Sequence, residues 1–222
     1  MHHTQKNLIE IKEKIKDKIN NLNLSQYNPK IIAVSKTFSE QDILPLIEYG
    51  HAEFGENKVQ EAQLKWSKIK EKHNNFKLHM LGKLQTNKVK NAVEIFDYIH
   101  SLDNYKLAQK ISSQQNKINF KPKIFVQVNI GNEPQKNGIS ISELDSFIEK
   151  CKNDLGLDII GLMCLPPNDG NAEAYFKEMN SLKEKFNFKE LSMGMSSDYN
   201  LAIKNGSTFI RIGSKIFGER SK

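Results

Sequence analysis

Cysteine is scarce in this sequence, with only Cys151 and Cys164 among 222 residues. The two stand far apart and form no CxxC pair. Small disulfide-stabilised domains and structural zinc sites both need several cysteines at characteristic spacings, so we expect neither here. This usage of cysteine fits a reducing compartment and predicts a cytoplasmic location.

Long apolar runs are also missing. No run approaches the roughly 20 residues that cross a membrane, and residues 1–6 lack the apolar stretch of a signal peptide. The composition, 38% apolar and 27% charged, is that of a folded globular protein. A length of 222 residues suits one domain, so we expect a single domain over residues 1–222.

Acidic residues are fewer than basic ones, which gives a net charge of +7. Such an excess can indicate nucleic-acid binding. The lysines, however, are spread along the chain, and no basic block alternates with aromatic residues as a base-stacking platform requires. We therefore expect no specific nucleic-acid partner.

Arginine is almost absent, and its two positions are informative. Arg211 and Arg220 are the only arginines, while every other residue counted with them as basic is lysine. A chain that uses lysine nearly everywhere keeps arginine only near its C-terminus. We therefore expect that these positions require the planar, permanently charged guanidinium group of arginine.

Two hydrophobic patterns alternate along the chain. Helical stripes such as Val59, Ala62, Trp66 and Ile69 alternate with short apolar runs typical of strands buried on both faces. A helix over residues 1–26 comes first, and Gly50, Gly156 and Gly206 mark helix ends. The eight candidate strands are 31–35, Glu53–Asn57, Leu78–Leu81, Tyr98–Leu102, Ile124–Ile130, Ile159–Leu165, Leu191–Gly194 and Phe209–Gly213. This order predicts an α/β fold, a single (β/α)8 barrel with an extra N-terminal helix, and leaves a doubly wound open sheet as the alternative.

Lys36 directly follows the first candidate strand. Barrels place their functional side chains at the C-terminal ends of strands. Burial at such a position lowers the pKa of an ammonium and makes the amine nucleophilic, which favours Schiff-base chemistry. The alternative is a lysine at the barrel rim that reaches water.

Asn57 ends the second candidate strand, within Gly55–Glu61. With Gln60 it resembles a capping arrangement at the start of the next helix. Its position beside the first strand would also let it face a ligand held on Lys36. Both interpretations stay open from the sequence.

The last two strands lead into loops rich in hydrogen-bond donors. Ser196 and Ser197 follow strand seven, and Gly213 and Ser214 follow strand eight. Barrel phosphate sites are commonly built from these two loops and the N-terminus of a short helix. The alternative makes the serines helix caps and Gly213 a turn glycine. A lysine and a phosphate site at one barrel mouth together fit pyridoxal 5′-phosphate (PLP), a phosphate-bearing aldehyde.

The motifs around these residues are similar to those of the PLP homeostasis protein family, single-domain barrels related to the N-terminal domain of alanine racemase. The resemblance covers about 31–218 and is carried by six segments. Lys58, Lys83 and the pair Met80-Leu81 depart from the family pattern. The segments are Ala33–Lys36, Phe54–Glu61, His79–Lys88, Gly161–Met163, Ser192–Asp198 and Arg211–Gly218.

The resemblance implies a role for each candidate residue. It implies a fold type III PLP barrel with the Schiff base on Lys36, Arg211 beside the pyridine nitrogen, and the phosphate among Ser196, Ser197, Gly213 and Ser214. It also implies a function in intracellular PLP homeostasis and amino-acid balance.

Catalytic turnover is not expected. A guanidinium at the pyridine nitrogen keeps that atom unprotonated and weakens the ring as an electron sink. A racemase would also need a second acid or base, and Tyr199 is the one tyrosine near the site in sequence. We expect a monomer that stores, buffers or delivers PLP, with apo-PLP enzymes as acceptors. An amino-acid racemase-like enzyme and a PLP-free, aldolase-like barrel are the alternatives.

Overall fold

Eight parallel strands close into a barrel in the computed structural model, which describes residues 1–24 and 26–219. The first and last strands pair with each other, Ile32 opposite Arg211, so the sheet has no edge. The predicted barrel is confirmed, and the doubly wound open sheet is wrong. The strands are β1 (Lys30–Val34), β2 (Glu53–Glu56), β3 (Lys77–Met80), β4 (Tyr98–Leu102), β5 (Lys123–Val128), β6 (Ile159–Cys164), β7 (Glu190–Met195) and β8 (Phe209–Ile212).

Every strand is followed by a helix along the chain. The stripes expected from the sequence are buried, as in Val59, Ala62, Trp66 and Ile69. Gly50, Gly156 and Gly206 adopt positive φ, which confirms them near helix ends. These helices are α2 (Glu40–Glu48), α3 (Val59–Lys70), α4 (Val89–Ile95), α5 (Tyr105–Ile118), α6 (Leu144–Asn153), α7 (Ala172–Lys185), α8 (Tyr199–Lys204) and α9 (Ser214–Phe217).

The additional N-terminal helix, α1 (His3–Asn21), is shorter than the predicted 1–26. Asn23 takes a left-handed conformation with φ 55° and ends the helical course of the backbone. α1 buries its apolar stripe against its neighbours, and the side chain of Asn7 donates to the carbonyl oxygen of Ile216 at 2.9 Å. The first helix is therefore tied to α9, the last one.

The barrel interior is filled by rings rather than by aliphatic side chains alone. Tyr98, Phe125 and Phe209 form an interior cluster separate from the main core. His79 stacks on Tyr98 with ring centroids 4.3 Å apart, and His100 stacks on Phe125 at 4.2 Å. The interior is thus a packed core, as in other barrels, but it contains two imidazoles.

None of the helices in the described part of the chain is both long enough and apolar enough to span a membrane. Arg220, one of the two arginines singled out in the sequence, lies outside the described residues.

Candidate functional site

A cavity of about 750 Å³ opens at the C-terminal ends of the strands, a volume that suits a small organic ligand. All seven residues predicted from the sequence line it. They are Lys36, Asn57, Ser196, Ser197, Arg211, Gly213 and Ser214. Apolar side chains, among them Val34, Leu81 and Met163, complete the walls.

The backbone around Lys36 is held from helix α3. The ammonium of Lys65 donates to the carbonyl oxygen of Ser35 at 2.8 Å and to that of Phe38 at 3.1 Å. Thr37 has the unusual φ of 69°, and its N–H donates to Glu61 Oε1 at 2.6 Å. Residues on both sides of Lys36 are therefore fixed by side chains of one helix.

Lys65 itself belongs to a buried ion pair. Its Nζ lies 2.8 Å from Glu56 Oε1, and the Glu56 side chain has no exposed surface. The same oxygen accepts from the Ser35 hydroxyl at 2.8 Å and from Trp66 Nε1 at 3.0 Å. These hydrogen bonds stabilise one oxygen of the buried carboxylate, whereas Glu56 Oε2 has no hydrogen-bond partner among the described residues. Sequence reasoning missed this pair; the only available signal was a lysine beside Trp66 on the buried stripe of α3.

Asn57 does not cap the following helix. The residue before α3 is Lys58, and no side chain there makes a capping hydrogen bond. The capping interpretation of Asn57 with Gln60 is therefore wrong. Asn57 is half-buried and faces the cavity.

The loop after β7 is shaped by Gly194, whose φ of +87° is unfavourable for other residues. A Cβ at this position would also come within 2.5 Å of Ala202 Cβ. The register of β7 against β8 shifts here, as in a β-bulge next to a functional site. The next residues form a turn closed by the N–H of Met195, which donates to Asp198 Oδ1 at 2.6 Å.

The serines of the two final loops are not helix caps. Asp198 and Gly213 occupy the cap positions of α8 and α9. Within residues 1–24 and 26–219, the hydroxyls of Ser196, Ser197 and Ser214 have no hydrogen-bond partner. They line the cavity with their donors available, so the capping alternative is wrong for these serines.

Neither the backbone conformation nor the packing around Gly213 requires a glycine at this position. Its φ of −109° is open to any residue, and an added Cβ would meet only Val34, at an ordinary 3.6 Å. Because Gly213 has no side chain, its backbone is accessible from the cavity. A phosphate group that approaches the main chain needs such access.

Arg211 enters the cavity from β8 and is itself only 5% exposed. Its Nη1 donates to Ser192 Oγ at 2.7 Å and its Nη2 to the carbonyl oxygen of Cys164 at 2.9 Å. Burial lowers the pKa of the guanidinium from its ordinary value. The guanidinium is held by two hydrogen bonds, and its remaining N–H groups are available to donate to a ligand in the cavity.

Two buried histidines, His79 and His100, lie below Arg211, and neither was assigned a role in the site from the sequence. His100 Nδ1 is 2.9 Å from Ser192 Oγ, and His100 Nε2 is 2.9 Å from His79 Nδ1. His79 Nε2 in turn is 2.7 Å from Glu53 Oε2. The available signal was a histidine within each of two candidate strands.

Tyr199 is buried at the start of α8 and does not line the cavity. The ammonium of Lys215 lies over its ring, 4.8 Å from the centroid. The titratable residues that do line the cavity, among those described, are Lys36, Arg211 and Glu219 at the mouth. Sequence reasoning had not considered Glu219.

Both cysteines are free and buried, as the sequence predicted for a chain without disulfides. Burial raises the pKa of Cys164 to about 12, although the positive charge of Arg211 opposes the shift. A thiol with such a pKa is a poor nucleophile near neutral pH. Its contribution to the site is its carbonyl oxygen, which holds Arg211.

Comparison with known proteins shows what the chain resembles. A family model described as alanine racemase, N-terminal domain, matches residues 12–221. A protein of Pasteurella multocida named pyridoxal phosphate homeostasis protein is 34% identical, over 97% of this chain and 97% of its own.

Solved structures agree with the family match. The structure of PipY from Synechococcus elongatus with PLP bound has a TM-score of 0.79 and 34% sequence identity, and the alignment covers 92% of this chain and all of PipY. An alanine racemase of Clostridium difficile shares the fold alone, at 14% identity and a TM-score of 0.66. There 95% of this chain corresponds to only 57% of the racemase.

Proposed function

Because this chain belongs to the alanine racemase N-terminal domain family, we propose that it binds PLP in the cavity at the barrel mouth and holds the cofactor as a Schiff base on Lys36. PLP supplies an aldehyde that condenses reversibly with an amine, and an electron-poor ring. The observation that carries the proposal is one cavity that joins a lysine at a strand end, an arginine and three serine hydroxyls that have no hydrogen-bond partner among the described residues.

Each part of PLP has a matching set of residues in this proposal. Lys36, held in place from α3, would supply the amine for the aldehyde of PLP. Ser196, Ser197, Gly213 and Ser214 bind the phosphate, with Gly213 admitting it close to the main chain. Arg211 directs an N–H toward the ring nitrogen. Asn57 lines the wall between β1 and β3.

The protein's role in this proposal is PLP homeostasis: storage, buffering or delivery of the cofactor without catalytic turnover. Release would require the amine of an acceptor enzyme to replace Lys36 on the aldehyde of PLP, and such an amine would reach it through the mouth of the cavity. Turnover at an amino acid would need an acid or base opposite Lys36. Tyr199 is buried away from the cavity and does not fill that role.

Transfer to an acceptor tests this role. The PLP-loaded protein is mixed with an apo-PLP enzyme, and regained activity is followed. We expect reactivation faster than with the same concentration of free PLP. A parallel incubation with amino acids in heavy water should show no α-proton exchange. Transfer no faster than from free PLP would count against delivery, and exchange that depends on Lys36 would favour the racemase-like alternative.

Substitution of Gly213 by alanine tests the phosphate site. The added methyl group meets only Val34 at van der Waals distance, so the melting temperature of the PLP-free protein should stay unchanged. The affinity for PLP should fall about tenfold, the equivalent of roughly 1.4 kcal/mol, because the phosphate is pushed off the main chain. Titration of PLP by absorbance measures this.

Gly161→Ala is the matched control for backbone crowding. Its Cβ would stand 2.0 Å from the carbonyl oxygen of Glu190, so this variant should lose stability. Unchanged PLP affinity in the Gly213→Ala protein would contradict the placement of the phosphate at this loop.

A further inference from the structure

A line of hydrogen bonds crosses the barrel interior from Arg211 at the cavity to Glu53 at the start of β2. Ser192, His100 and His79 form its middle, and each contact between neighbours is 2.7 to 2.9 Å long. These three residues have no exposed surface. We call Glu53, His79, His100 and Ser192 the interior network. The Schiff-base chemistry of Lys36 does not require it.

With both imidazoles neutral, the two ends of the interior network fix the direction of every hydrogen bond. A guanidinium only donates and a carboxylate only accepts. His79 therefore donates from Nε2 to Glu53, and its Nδ1 accepts from Nε2–H of His100. Nδ1 of His100 then accepts from the hydroxyl of Ser192, whose oxygen accepts from Arg211. All hydrogen bonds point from Arg211 to Glu53, and both imidazoles carry their proton on Nε2.

The charges agree with this arrangement. Burial lowers the pKa of His79 and lowers that of His100 further, where His79 and Arg211 act in the same direction. Burial alone would raise the pKa of Glu53, but its hydrogen bond from His79 and the ammonium of Lys30, 3.5 Å away, bring it below the ordinary value. Two neutral imidazoles thus lie between a cation and an anion.

Packing alone does not account for the imidazole nitrogens. His79 and His100 stack on Tyr98 and Phe125, and phenylalanine or leucine could occupy such space without needing any polar partner. Here every side-chain nitrogen of the two rings has a partner. Fully satisfied buried networks of this kind fix one geometry of the groups they join.

We propose that the interior network positions Arg211, so that its guanidinium faces the ring nitrogen of PLP as a fixed hydrogen-bond donor. Ser192 holds Nη1 and the carbonyl oxygen of Cys164 holds Nη2, which leaves the plane of the guanidinium no freedom to turn. The residues of the network are positioning residues and do not touch the cofactor. This inference rests on the proposed function, because it concerns how the bound ring is held.

The test uses PLP labelled with nitrogen-15 in its ring, bound to the full-length protein. We expect the wild-type spectrum to show an unprotonated ring nitrogen. Ser192→Ala and His100→Leu should move that signal toward the protonated position. PLP should also dissociate about tenfold faster, which corresponds to one hydrogen bond to a charged group.

Two further variants separate positioning from packing. His100→Asn keeps an acceptor for the Ser192 hydroxyl and should restore part of the wild-type signal. Phe125→Leu removes the ring stacked on His100 and leaves the network intact, so the nitrogen signal should not move. An unchanged signal in Ser192→Ala and His100→Leu would overturn the inference. So would the same shift in Phe125→Leu.

A measurement without PLP tests the network itself. Nitrogen-15 spectra of histidine in the PLP-free protein should show His79 and His100 neutral with the proton on Nε2. An imidazolium, or a proton on Nδ1, would contradict the network. A wild-type protein that takes up no PLP would overturn the proposed function, whereas uptake with unchanged spectra in the variants overturns this inference alone.

Discussion

Substitution of Lys36 by alanine is expected to abolish the visible absorption band of the PLP-loaded protein. Lys36 supplies the amine of the Schiff base in our proposal, and Arg211, Ser196, Ser197 and Ser214 would still hold PLP without a covalent bond. The affinity for PLP should therefore fall on the order of 100-fold, about 2.8 kcal/mol, rather than vanish. Absorbance titration measures both effects.

Borohydride reduction of the wild-type protein completes this experiment. The reduced cofactor should be found on the peptide that contains Lys36. Lys58→Ala is the control, since Lys58 is an exposed lysine near the cavity and does not line it. This control should keep the band and the affinity. A band of full intensity in the Lys36→Ala protein would contradict the assignment of the imine.

Substitution of Lys65 by methionine should destabilise the protein and disturb the site together. The change leaves the buried carboxylate of Glu56 without its counter-charge, and breaking a buried ion pair in this way costs about 3–5 kcal/mol. It also releases the carbonyl oxygens of Ser35 and Phe38, so Lys36 is held less firmly. Urea unfolding measures the stability, and PLP titration measures the site.

Variants of both partners distinguish the two effects. Lys65→Met combined with Glu56→Gln has no unpaired buried charge, so most of the stability should return while PLP affinity stays low. Lys68→Met, an exposed lysine on the same helix, should change neither quantity. If the double variant regained wild-type affinity for PLP, Lys65 would have no part in holding the Lys36 segment.

The strands could be predicted because parallel strands buried on both faces appear as short apolar runs, and the repeating order of strand and helix then limits the architecture. The C-terminal end of α1 was harder to predict from the sequence. Asn23 stops the helix through a left-handed conformation, which asparagine adopts far less regularly than glycine. The predicted helix therefore continued for several residues too many.

The cavity residues could be predicted because the topology brings all strand ends of a barrel to one face, so position along the chain was sufficient. The ion pair of Lys65 with Glu56 and the interior network were missed for the opposite reason. Ser192 and His100 are 92 positions apart in the sequence. No local sequence pattern predicts which distant residue a buried side chain will contact. A histidine in a strand gave no indication of the direction in which it faces.

Pairing of β1 with β8 has a consequence for the timing of synthesis. The strand that leads to Lys36 is among the first parts of the domain to leave the ribosome, and its neighbour that leads to Gly213 is among the last. The two walls of the cavity meet only when the barrel closes, after β8 has emerged. Contacts so distant in sequence form late in folding. A nascent chain in which β8 has not yet emerged should therefore be unable to capture PLP.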